Sequence, residues 1–171
     1  MAFENINFIF AIEIYSKKIT VEKIPNGKYR DGDWKITLKK NKYPDMKQII
    51  NTVNAPAAIG PYSQANMANG VLYISGQIPV DPATGKLVEG IEKETHQVMK
   101  NLEAILTEAG MTFKNVVKAT IFLKSMDDFA VMNDIYASYL DAESYPARET
   151  VQVSCLPKNV DIEISMIAHQ D

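Results

Sequence analysis

The pattern of this chain predicts an α+β domain of about six strands and two helices, with both helices on one face of the sheet. Three observations carry that expectation. Glu92 to Ala109 and Asp127 to Leu140 repeat their apolar residues at helical spacing. Short alternating runs lie before, between and after those stretches. Asn69-Gly70 separates two such runs, where a two-residue hairpin turn needs positive φ at both positions.

Residues 1 to 45 read as a segment apart. Ile19 to Ile24 and Trp34 to Leu38 are strand candidates around a Pro25-Asn26-Gly27 turn. A lone hairpin is marginal in water, so it must dock or stay mobile. Met46 is a second candidate start, and the leading segment reads as an N-terminal extension, a cloning remnant or an upstream read-through. The main domain is expected over 46 to 171. Ile49 to Val53 opens it as a short strand, and Gln64 to Ala68 with Val71 to Ser75 form the hairpin. Asp81 to Gly90 is a loop, marked by Asp81-Pro82 and Thr84-Gly85. On the first helix Val98, Leu102, Ile105, Leu106 and Ala109 share one stripe, and Gly110 is the stop. Val116 to Leu123 is an apolar strand. Ser125 can cap the second helix, whose buried stripe is Phe129, Met132, Tyr136, Tyr139 and Leu140. Thr150 to Cys155 and Asp161 to Ala168 close the domain as strands.

Those last strands carry the most chemistry. Val151, Val153 and Cys155 alternate with Thr150, Gln152 and Ser154; Ile162, Ile164 and Met166 alternate with Glu163 and Ser165. Pairing them through the Leu156 to Val160 turn, apolar to apolar, sets Val151 against Ile164 and Val153 against Ile162. One face then meets the helices. The other carries Arg148, Thr150, Gln152, Glu163 and Ser165. A polar face with no helix to cover it meets water or another copy of the chain, which predicts a ring-like homo-oligomer with ligand sites at its seams. Arg148 is the only arginine after Met46. A planar guanidinium holds a carboxylate through two parallel hydrogen bonds, which a lysine cannot do. Arg148 is therefore a candidate anchor for a small carboxylic acid; an ordinary surface ion pair is the other reading.

Composition removes several function classes. Up to Asp45 there are eight Lys and one Arg against six acids, a net of +3; the remainder has eight Lys and one Arg against fifteen acids, a net of −6. An acidic main domain argues against phosphate-backbone binding. His96 and His169 are the only histidines, with no cysteine pair, so no metal site is legible. Cys155 is the single cysteine, which excludes an internal disulfide and fits a reducing, cytoplasmic setting. No apolar run approaches the roughly 20 residues that span a bilayer. The stretch Phe8 to Ile14 is interrupted by Glu13 and follows no basic residue, which makes a poor signal peptide.

Gly60-Pro61-Tyr62-Ser63-Gln64-Ala65, Ser75-Gly76-Gln77, Asn133, Pro146-Ala147-Arg148, Leu156-Pro157 and Ile162-Glu163-Ile164, in this order and spacing, resemble the Rid family (also called YjgF or L-PSP) of enamine/imine deaminases. The likeness runs from about Met46 to the C-terminus and leaves residues 1 to 45 without a counterpart. It implies a chorismate-mutase-like fold and a homotrimer with clefts between subunits. It also implies hydrolysis of 2-aminoacrylate, 2-iminobutanoate and similar imines to 2-keto acids and ammonia, with no cofactor. By the same resemblance, Arg148 grips the substrate carboxylate, Glu163 is the acid beside the attacking water and Tyr62 lines the cleft. Ser75 and Gly76 approach the ligand, and Asn133 gives support. Thr150 stands where well-known bacterial members often have cysteine.

The chemistry suits those residues. An imino acid carries a carboxylate beside a C=N bond, so a guanidinium that fixes the carboxylate places the carbon for attack. A carboxylate within about 3 Å of a water can move its protons, typically a hundredfold effect or more. Plainer roles stand beside these: a solvated Glu163, a Tyr62 that plugs a turn, a Gly76 that eases a bend. A non-catalytic trimer that binds small carboxylates, as regulator or chaperone, is the alternative function. A ribonuclease is disfavoured by the acidic domain and the lack of a recognisable histidine pair.

Overall fold

The computed structural model describes residues 17–23, 34–40 and 47–170, divided between two compact units, Met1–Met46 and Lys47–Asp171. In the first unit β1 (Lys17–Lys23) pairs antiparallel with β2 (Trp34–Lys40), with Val21 opposite Ile36. The Pro25-Asn26-Gly27 turn expected between them lies outside the described residues.

The second unit is a six-stranded mixed sheet with two helices. Its elements are β3 (Gln48–Ile50), β4 (Ala65–Ala68), β5 (Val71–Gln77), α1 (Ile91–Glu108), β6 (Val116–Leu123), α2 (Phe129–Ser138), β7 (Ala147–Gln152) and β8 (Ile162–His169). The strands lie in the order β3-β4-β5-β8-β6-β7. Every pairing is antiparallel except β6 with β7. A parallel pair needs a crossover of a dozen residues or more, and α2 supplies it.

Local chemistry explains the boundaries. Asn69 and Gly70 have φ of 51° and 79°, the mirror-image turn that matches strand twist between β4 and β5. Gly110, at φ 70°, ends α1. The second helix is not continuous from Asp127: a 3-10 turn, Met126–Asp128, precedes α2, and the Ser125 hydroxyl accepts the Asp127 N–H at 3.2 Å. Val98, Leu102, Ile105 and Leu106 from α1 and Met132 and Tyr136 from α2 are buried with Ala119, Ile121, Ile164 and Met166 of the sheet. Ala109, Phe129, Tyr139 and Leu140, placed on the same stripes by their spacing, are only partly buried against that core.

The expected pairing of the last two strands fails. β7 and β8 do not form a hairpin: β8 lies between β5 and β6, and β7 is the outer strand beside β6. The reason is burial. Ile162, Ile164, Met166 and Ala168 of β8 are all buried, and so are Ala119, Ile121 and Leu123 of β6. Two such strands gain most as central neighbours, and Ile121 lies opposite Ile164. β7 has no comparable apolar set and takes the edge. The connection from Val153 to Asp161 carries the chain past β6, through a turn in which Lys158 and Asn159 take φ of 56° and 62°.

The register reverses the expected facing of β7. Ala119 lies opposite Arg148, Ile121 opposite Thr150 and Leu123 opposite Gln152, so these three point to the helix side. Val151, assigned by its pattern to the core, is exposed on the other side. Phe122 lies opposite Glu163 and Thr120 opposite Ser165, so Glu163 and Ser165 are on the face opposite the helices. Arg148 and Glu163 therefore lie on opposite faces of the sheet, not on one.

Gln64 ties the segment before the hairpin to it. Its side chain, 1% exposed, accepts the Thr52 N–H at 2.7 Å and donates to the carbonyls of Thr52 (3.0 Å), Ala55 (3.1 Å) and Pro56 (2.8 Å). A leucine of similar size would leave those backbone groups orphaned, each at a cost of about 1 to 3 kcal/mol before relaxation. Gln64→Leu is expected to lower the unfolding free energy by about 3 kcal/mol in urea titrations, with the slope unchanged.

Candidate active site

Arg148 enters β7 one residue past its start, on the side where α2 packs. Its guanidinium carbon stands 5.0 Å from the centre of the Tyr136 ring and 5.8 Å from that of Phe129. Aromatic faces attract a cation and hold its plane without occupying its N–H groups. With Asn133, Tyr136, Ala137, Tyr145 and Pro146, Arg148 lines a hollow of about 390 Å³. Among the described residues no acid pairs with it. Its neighbour Glu149 points the other way, held by Lys118 and by the Thr120 hydroxyl at 2.6 Å. A half-buried guanidinium with its hydrogen-bonding edge unclaimed can receive an anion.

Two hydroxyls near it lack partners among the described residues. Tyr136 is 3% exposed and its hydroxyl meets no hydrogen-bonding group among the described residues; burial pushes that hydroxyl up to about 12, against the opposing effect of Arg148. Thr150, two residues along β7 on the same face, buries an unpartnered Oγ1. Spacing places Tyr136 only in the helix core and misses its part in the hollow. The legible signal is that Asn133 and Tyr136 are three apart on one helix face.

Glu163 belongs to a second locus, on the face of β8 that points away from the helices. It is half-buried, and burial raises its carboxyl above the usual range. Ser75 and Gly76 lie where the β5–β8 pairing shifts register, between Ile74 and Gln77. A Cβ on Gly76 would overlap the Glu163 carboxylate and come within 3.0 Å of its Cγ. The glycine is thus the seat of the acid. The Ser75 hydroxyl is committed to the Ser63 carbonyl at 2.7 Å, a structural tie. Gly76→Ala is expected to push the flexible acid aside, lowering stability by about 1 kcal/mol, the usual size for a single substitution. Turnover by Gly76→Ala should fall at least tenfold if the acid acts from this seat.

Tyr62 is 51% exposed and lines neither locus. It borders a separate, more apolar hollow of about 260 Å³ with Ile59, Ile78, Val80 and Lys158. Among the described residues no cluster of histidine, cysteine and acids has the arrangement to hold a metal ion. The structure thus groups Arg148 with Asn133 and Thr150, and Glu163 with Gly76 and Ser75, and it leaves Tyr62 outside both groups.

Residues 52–170 match the family model described as endoribonuclease L-PSP. A putative regulator, AldR, of Lactococcus lactis is 54% identical over 71% of this chain and 96% of its own length. The bovine 2-iminobutanoate/2-iminopropanoate deaminase is 48% identical over 73% of this chain and 91% of its own. Among solved structures, a conserved Rid family protein of unknown function from Yersinia pestis superposes with a TM-score of 0.72 at 53% identity, covering 73% of this chain and all of the other.

Proposed function

The chain belongs to the Rid family, whose model carries the description endoribonuclease L-PSP, and from that premise we propose that it hydrolyses enamine and imine intermediates such as 2-aminoacrylate and 2-iminobutanoate to 2-keto acids and ammonia. The observation that carries this reading is the Arg148 guanidinium, held on aromatic rings at the wall of a hollow with no internal acid. A 2-imino acid offers the complementary carboxylate, and its C=N carbon then has a fixed address. Water adds to that carbon, nitrogen takes a proton, and the C–N bond breaks to leave the ketone. Glu163, with its carboxyl raised by burial, exchanges protons with that water more readily near neutral pH than an ordinary glutamate.

Arg148 and Glu163 face away from each other within one chain. Both serve one ligand only if they come from different copies. The face opposite the helices, with Tyr73 and Val151 exposed beside Lys118, Thr120 and Glu163, is the surface on which another copy would sit. The reading is a homotrimer with sites at its seams. Subunits carrying Arg148→Ala and subunits carrying Glu163→Ala are each inactive in it, and mixing them with proven exchange restores a fraction of intact sites. No recovery after exchange removes the shared site.

A coupled assay tests the activity. Threonine dehydratase generates the imine, and release of 2-oxobutanoate is followed with and without this protein. Acceleration supports the deaminase; a rate equal to spontaneous hydrolysis leaves the second reading, a non-catalytic carboxylate-binding regulator, which the name of the Lactococcus relative favours.

A further inference from the structure

The Tyr136 hydroxyl is unexplained by the packing. A phenylalanine would fill the same core position and present the same ring face to Arg148. A hydroxyl buried without a partner is less stable than one that is satisfied. Among the described residues nothing satisfies it. The ring it belongs to is the one closest to the Arg148 guanidinium and forms part of the hollow that guanidinium lines. Asn133, one turn back on α2, lines the same hollow.

We propose that Tyr136 is a second ligand donor in the Arg148 hollow, its hydroxyl giving a hydrogen bond to the bound acid once that acid draws the guanidinium away from the ring. A carboxylate has lone pairs for about four hydrogen bonds, and a guanidinium fork fills two of them. A neutral hydroxyl beside the fork adds a third bond without adding charge. Because its proton is held to high pH, it stays a donor throughout the physiological range. In the empty hollow the ring stores the guanidinium; in the filled hollow the hydroxyl meets the ligand. This inference rests on the reading that Arg148 clasps an organic acid, and not on the hydrolysis step.

Calorimetric titration with 2-oxobutanoate, on wild type and Tyr136→Phe, tests it. Hydrogen bonds to charged groups are worth about 1.5 to 3 kcal/mol, so the dissociation constant of Tyr136→Phe should rise about tenfold or more. The thermal midpoint of the ligand-free variant should stay level or rise, because an unsatisfied polar group has gone. With 2-oxobutanamide, which lacks the charged acid, the difference between wild type and variant should shrink. Equal dissociation constants for wild type and Tyr136→Phe overturn the proposal. So does a lower ligand-free midpoint, which would mean that the hydroxyl already has a partner. A wild type that binds 2-oxobutanoate but accelerates no imine hydrolysis sinks the deaminase and leaves this inference standing. A wild type that binds no keto acid overturns this inference, while the coupled assay still decides the deaminase.

Discussion

Arg148→Lys should reduce kcat/KM for imine hydrolysis by a hundredfold or more, and Arg148→Ala by at least as much. Lysine keeps the charge but offers a point instead of a fork, so the carboxylate is free to swivel and the C=N carbon loses its address. Losing one partner of a desolvated, hydrogen-bonded charge pair costs about 2 to 5 kcal/mol, and every 1.4 kcal/mol is tenfold. Neither variant should unfold the protein, because Arg148 sits at the start of an edge strand with no internal ion pair among the described residues. Stopped-flow measurement of keto-acid release, with thermal midpoints alongside, separates the two effects. An Arg148→Lys enzyme within fivefold of wild type would show that charge alone suffices and would remove the bidentate clasp.

Glu163→Gln should abolish most of the acceleration while sparing binding. Proton transfer by a placed side chain typically contributes about a hundredfold to ten-thousandfold, and an amide cannot perform it. The expected pattern is kcat lowered by that factor with the keto-acid dissociation constant nearly unchanged. The same substitution should make the protein more stable at neutral pH. Burial raises the native carboxyl of Glu163 above its unfolded value. The folded state thus holds this proton more tightly, and its share of stability is greatest below the unfolded pKa and is lost as pH climbs through the raised one. At pH 7 the buried charge works against folding, and glutamine does not carry it. The midpoint advantage of Glu163→Gln should therefore close as pH is lowered towards 4. An advantage constant in pH would place its cause elsewhere than this ionisation.

Much of this architecture was legible in the residues. The Asn69-Gly70 turn, α1 with its Gly110 stop, and the limits of β6 follow from backbone permissiveness and periodicity, which are local. The partner of β7 was not legible, because pairing is decided by which strands bury most, a comparison across the whole sheet. Alternation correctly set Val151 against Thr150 on opposite sides. It could not say which side meets the helices, since the side that does carries only polar residues, Arg148, Thr150 and Gln152, and the apolar Val151 faces away. That one ambiguity put Arg148 and Glu163 on a common face. Residue type and family likeness marked Arg148, Asn133, Gly76 and Glu163. Only the folded arrangement reveals that Gly76 makes room for Glu163, or that Tyr136 carries a hydroxyl with no partner among the described residues.

The outward divergence of the guanidinium and the acid has a consequence for how this molecule behaves on dilution. Under the proposed seam sites, a solitary chain holds half of two different reaction chambers and a whole one of neither. Specific activity should then collapse below the concentration at which copies separate, long before any loss of secondary structure is visible by circular dichroism. Abundance would act as a switch for the chemistry, with no effector needed to throw it.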